Sequence, residues 1–162
     1  VAVSTLLTPR SRSIMAENLQ HMLDDLKQRL LLLSGYVEEG AAKVVSALMN
    51  RDVRLAESVV LGDQEIDRLE VQVETECEKI LVLQGPVARD MRFVVASLKI
   101  SSYLERMGDL TKKIGKNVVF LCGVPPTDAN VDFREIARTG SFDGQTEHGC
   151  VRQSAMSSWL AK

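Results

Sequence analysis

The chain has 162 residues, with 20 Lys and Arg against 22 Asp and Glu, 45% hydrophobic residues and only 4% aromatic ones. That length allows one domain and a tail, the aliphatic and charge-rich composition favours helices over sheets, and the near balance of charge gives no overall pull toward nucleic acid or an anionic membrane. Three cysteines, Cys77, Cys122 and Cys150, lie far apart without a CxxC pair, which argues against a disulfide framework or cysteine zinc site and for a reducing, cytoplasmic setting.

Residues 1–16 carry no sustained period and are expected to be disordered, with Met15 a candidate start. Their apolar residues, Val1 to Val3 and Leu6-Leu7, form too short a stretch and lack the basic leader of a signal peptide. No run in the chain approaches the roughly 20 apolar residues that span a bilayer, so no direct membrane insertion is expected. From Ala16 onward Leu19, Leu23, Leu26, Leu30, Leu33 and Val37 recur at three- and four-residue steps, continued by Ala41, Val44 and Leu48. This predicts a long amphipathic helix over 17–50. Asn50-Arg51-Asp52 supplies a turn, with Asp52 a candidate N-cap.

Leu55, Val59, Ile66, Leu69, Val73, Ile80 and Leu83 predict a second helix over 53–84. It stops at Gly85-Pro86, since Gly is preferred just past a helix end and Pro at the start of the next. Cys77 inside it reads as a small apolar core residue. The third helix is predicted over 86–122. Val87, Met91, Val94 and Leu98 form one apolar row, and Ile100, Leu104, Met107, Ile114, Val118 and Leu121 a second, as in a helix covered on two sides. Gly123, Pro125 and Pro126 end it. Three long helices with short turns make an all-α, antiparallel, up-down-up three-helix bundle, like a spectrin repeat. Residues 125–162 read as an irregular tail, with Asp132 to Arg138 a candidate short helix.

Two spacings carry chemistry. Asp63 and Asp67 stand at i and i+4 on the second helix, Glu105 and Asp109 at i and i+4 on the third, so each pair shares a face. Folding at Gly85-Pro86 sets Asp67 about 18 residues before the turn and Glu105 about 20 after it, a mismatch of only about 3 Å along the axis. Asp63 and Asp109 are level in the same way. The four carboxylates either form a square that holds a hard multivalent cation or are an ordinary solvated face with Arg92, Lys99, Arg106 and Lys112 in weak surface pairs. Clustered carboxylates repel unless protonated, solvated or cation-bound. Neither His21 nor His148 follows a Glu at the Glu-x-x-His spacing of ferritin-like di-iron sites.

Taken together, the segments resemble a PhoU domain over residues 17–124. The matching residues are Val37-Glu38 and Ala41 to Leu48, then Leu55-Ala56 and Asp63 to Glu70. Leu83-Gln84-Gly85-Pro86-Val87-Ala88-Arg89-Asp90-Met91-Arg92 looks like the family's LQxPVAxDLR turn, and Leu98-Lys99-Ile100 with Leu104-Glu105-Arg106-Met107-Gly108-Asp109 like its LKI…LERIGD run. The resemblance implies multinuclear metal binding through E(D)xxxD motifs, matched here by Asp63 with Asp67 and Glu105 with Asp109, the cation being iron, manganese or magnesium. It implies a negative regulator of the phosphate regulon, not an enzyme, acting between the phosphate ABC transporter ATPase and its sensor histidine kinase. PhoU proteins have two such repeats; here Asp132 to Arg138 resembles the opening of a second one and the pattern vanishes after Thr139-Gly140, as in a truncated, frameshifted or divergent repeat. A lone repeat is expected to leave an apolar face exposed and to form a homodimer. The competing functions are a metal-free structural helical interaction domain and a carboxylate-metal enzyme. Against the enzyme, the sequence shows no nucleophile with a neighbouring base and no phosphate-cradling Gly loop.

Overall fold

The computed structural model describes residues 9–125, with side chains from Met15 onward. The tail at 126–162, Cys150 and the candidate helix at Asp132 to Arg138 lie outside the described residues. Within them run α1 (Pro9–Asn50), α2 (Val53–Gln84) and α3 (Ala88–Cys122), an all-α bundle in which every pair of helices packs together.

The turns form where the sequence placed them. Asp52 is extended and its carboxylate accepts from the Leu55 amide at 3.0 Å, satisfying one of the free donors at the start of α2. Gly85 closes α2 in the left-handed region, φ 51° and ψ 57°, where a Cβ is strained. Arg51 also has a positive φ, 50°. Its guanidinium spans to the far end of α3 and donates to the Leu121 carbonyl at 2.8 Å and the Val124 carbonyl at 2.7 Å. The end of one helix is thus tied to the turn between the other two.

Two boundaries differ from expectation. α1 begins at Pro9, so residues 9–16 are helical; proline is accepted in a first turn, where its missing amide has no partner to lose. α3 begins at Ala88, with Val87 extended as its N-cap at φ −84° and ψ 169°, so Pro86 belongs to the turn.

The core runs in three layers. Leu23, Leu26, Leu30, Val73, Cys77, Ile80 and Val94 fill the end near Gly85. Leu33, Val37, Ile66 and Leu69 fill the middle, with Leu104 against them. Val44, Ala47, Ala56, Val59 and Val118 fill the end near Asp52. Cys77 is fully buried, and burial first, then Glu76, Glu74 and Glu78, pushes its thiol up to about 12, as suits an inert core residue. The second apolar row expected on α3 is covered only in part: Val118 is buried and Ile100 and Leu104 pack against the core, but Met107, Ile114 and Leu121 are exposed.

Gly85→Ala should destabilise the bundle by about 1 kcal/mol, the penalty of a Cβ in the left-handed region. Asp52→Ala should cost about 1 kcal/mol through the lost cap. The two sites are at opposite ends of α2, so urea midpoints of the double variant should show the two costs adding.

Candidate functional site

α2 and α3 meet along a seam of small side chains. The buried positions of α3 include Ser97, Ser101, Gly108, Thr111 and Gly115. Each hydroxyl on this face bonds back to its own helix: Ser97 to the Phe93 carbonyl, Ser101 to Leu98 and Thr111 to Met107, each at 2.9 Å. A Cβ at Gly108 would stand 3.0 Å from both Cδ1 and Cγ2 of Ile66. One at Gly115 would stand 3.1 Å from Val60 Cγ2 and 3.3 Å from the Ala56 carbonyl oxygen. Any larger residue at these two positions would require Ile66, Val60 or the Ala56 carbonyl to give way.

Asp63 lies in the buried row of α2, between Val59 and Ile66, and is only 2% exposed. Its Oδ1 would be 3.6 Å from a Cβ on Gly108, so it rests against the glycine gap. Lys112, one turn beyond Gly108, donates from Nζ to Asp63 Oδ2. The pairs Arg29–Asp25, Lys43–Glu39 and Arg68–Glu65 each stay within one helix, whereas this one ties α3 to α2. Oδ1 is buried without a hydrogen-bond partner. It borders a cleft of about 140 Å³ lined by Tyr36, Gly40, Lys43, Gly62 and Thr111.

The axial register of the four sequence-picked carboxylates is right, but they do not converge. Lys112 is raised by its hydrogen bond to Asp63 and by that charge, against burial, and Asp67 and Asp109 add to the effect. Glu70 is raised by burial first, then by the charges of Glu74, Glu105 and Asp67. All four therefore sit along one α2–α3 edge. Yet Asp63 points inward, Asp67 is exposed, and Asp109 approaches Lys113 at 3.9 Å. Among the described residues no three Asp, Glu, His or Cys side chains are gathered as a metal-binding group. As arranged, the donors have suitable oxygen chemistry but not the convergence of a metal centre.

Lys112 is the residue that sequence reasoning undervalued. Expected in a weak surface pair, it neutralises the buried carboxylate. The same hairpin arithmetic that levels Asp63 with Asp109 places Lys112 within one turn of it. Glu70, which its spacing does not single out, is half-buried beside Glu74, Glu105 and Asp67.

A three-helix bundle with a carboxylate-rich α2–α3 edge is the architecture; the comparisons supply the family. The PhoU domain matches residues 30–118, more than half of the chain. A phosphate-specific transport system accessory protein PhoU homolog of Caulobacter vibrioides is 36% identical over 126 residues, 78% of this chain and 52% of the relative. The homolog of Aquifex aeolicus is 36% identical over 113 residues, 68% of this chain and 51% of its own. The PhoU of Serratia marcescens is 35% identical over 92 residues, 57% and 38% of the two chains. The chain belongs to the PhoU family. It spans about half the length of the first curated relatives it matches.

Lys112→Met should strand a buried carboxylate and lower the melting temperature by several degrees, whereas Asp63→Leu with Lys112→Met should recover most of the loss. Because the folded pKa of Lys112 is raised, its contribution is complete below the ordinary lysine range and fades as pH rises through the raised value; Lys112→Met should remove that alkaline loss. Glu70 is an acid with a raised folded pKa, so it favours folding at low pH and less so as pH rises through the raised value. Glu70→Gln should flatten melting temperature against pH from the acid side to neutrality.

Proposed function

We propose that this chain is a non-enzymatic regulator of phosphate uptake. It would restrain the phosphate regulon from the cytoplasm, by contact with the ATPase of a phosphate ABC transporter and with its sensor histidine kinase. The observation that carries this reading is the PhoU match across all three helices, together with relatives named as phosphate transport accessory proteins. Among the described residues no helix is long and apolar enough to cross a membrane, which agrees with action from beside the transporter. A homodimer belongs to the same reading, supported by exposed Val82, Leu83 and Val87 at the α2–α3 turn.

The reading extends to a multivalent cation, iron, manganese or magnesium, held by Asp63, Asp67, Glu105 and Asp109. Two features support it: the unpartnered Asp63 Oδ1 and the mutual repulsion felt at Glu70. Binding would require Lys112 to release Asp63 and the side chains on the edge to turn inward.

Two experiments test the reading. In a bacterium lacking its own PhoU, expression of the chain should restore repression of phosphate-uptake genes in phosphate-rich medium. A reporter that stays fully active, with the protein present, would refute the regulatory role. A cation that binds only the folded state stabilises by about 2.7 kcal/mol at a hundredfold excess over Kd. Manganese should therefore raise the melting temperature of the parent and of Glu57→Gln/Glu78→Gln, but not of Glu105→Gln/Asp109→Asn. An equal response in all three proteins would show that the carboxylates are a solvated face.

A further inference from the structure

α3 carries a second amphipathic face that the bundle does not use. Tyr103, Met107, Leu110, Ile114 and Leu121 follow steps of four, three, four and seven along the helix, and all are exposed, from 44% at Met107 to 67% at Tyr103. These are the spacings of a coiled-coil seam, in which apolar residues recur every 3.5 positions on average. Toward the start of the helix the row passes into the bundle, where Phe93 and Ile100 pack against the core, and Asn117 is its polar position.

A row of cations borders this seam. Arg92, Lys99, Arg106 and Lys113 recur every seventh residue, each immediately before a seam position, and all are exposed. They line about 30 Å of helix. Among the described residues Arg92, Lys99 and Arg106 make no ion pair, and Lys113 meets only Asp109, at 3.9 Å. In a two-stranded coil this flanking position faces the flank of the partner helix, and its charge sets partner choice.

That charge decides between occupants. Two copies packed antiparallel along the seam would oppose one cation row to another. Packed parallel, each row would face Leu104, Thr111 and Val118, which are committed to their own core. Neither arrangement supplies a counter-charge. An anionic membrane attracts cations beside an apolar stripe without regard to their register, whereas this row repeats every seventh residue, the spacing matched to another helix. We propose that this face of α3 docks an acidic amphipathic helix of a partner protein, with apolar residues at heptad spacing and Asp or Glu along the flank that meets Arg92, Lys99, Arg106 and Lys113.

The test uses the full chain and two helical peptides of four heptads each, one with Leu at the seam and Glu on the flanks, its twin with Lys for Glu. Fluorescence anisotropy should show the Glu peptide binding at least about tenfold more tightly, since several ion pairs of modest strength act together. Lys99→Glu/Arg106→Glu should reverse the preference toward the Lys peptide, a gain that an unfolded variant could not show. Leu110→Gln, at an exposed position, should weaken both peptides. Equal binding of the two peptides by the parent, absence of binding, or a preference unmoved by the charge reversal would overturn the proposal. So would light scattering in which Leu110→Gln splits a parent dimer, which would seat a second copy here, or binding of phosphatidylglycerol vesicles but not peptide through Lys99 and Arg106. None of these readouts depends on phosphate regulation, so the two readings stand or fall separately.

Discussion

The closeness of α2 and α3 sets the rest of the molecule. Between Val94 and Val118, the buried positions of α3 are Ser97, Ser101, Gly108, Thr111 and Gly115, which leave little side-chain bulk to hold α2 away. Interhelical distance follows the side chains at the contact, so the approach is tight and its register narrow. Ile66 packs against Gly108 while Val60 and the Ala56 carbonyl pack against Gly115. Sliding α3 by one turn would drive Thr111 or Lys112 against Ile66, Val60 or the Ala56 carbonyl. Serine and threonine hydroxyls on such a face need partners when buried, and the α3 carbonyls one turn back supply them without recruiting α2.

That closeness creates an electrostatic tension at Asp63. A carboxylate in the buried row of α2 loses its hydration, and α3 is too near for water to surround it. Lys112 relieves the charge at Oδ2 while its stem lies partly exposed along the edge. Relief is incomplete, because Oδ1 retains no partner. Glu70 on the same edge is raised by its burial first and then by the charges of Glu74, Glu105 and Asp67. One lysine therefore separates a buried, paired carboxylate from a wetter acidic edge. A cation on that edge would have to outbid an ammonium that is already tethered in place.

The helices were legible because the apolar period, Asp52 and Gly85-Pro86 each report on a local constraint that holds whatever the tertiary contacts. Axial register was legible too, since a tight hairpin of two straight helices leaves only counting. Side-chain direction was not. An i, i+4 pair drifts around the helix, so Asp63 turned inward while Asp67 turned out, and spacing alone treats them as equal. The start of α1 was missed because Ser11, Arg12 and Ser13 look like loop residues, although nothing in 9–16 forbids helix. The second row of α3 was seen, but an apolar row records only that burial would be favourable, not that this chain supplies the cover.

The distribution of size on α3 completes the argument. Its inner face holds Val94 and Val118 near its ends but Ser97, Ser101, Gly108, Thr111 and Gly115 between them; its outer face holds Tyr103, Met107, Leu110, Ile114 and Phe120. A helix shaped only to stabilise an isolated bundle would carry its large apolar residues inward, where burial contributes most. Here the inner face is shaped by proximity, which glycine and serine allow, and the large residues are left for contact beyond the bundle. Arg92, Lys99, Arg106 and Lys113 keep that outer face hydrated and bias it against its own kind. The helix is thus divided by function along its length: one side fixes α2 and places Asp63 beside Lys112, and the other is held open for a partner of opposite charge.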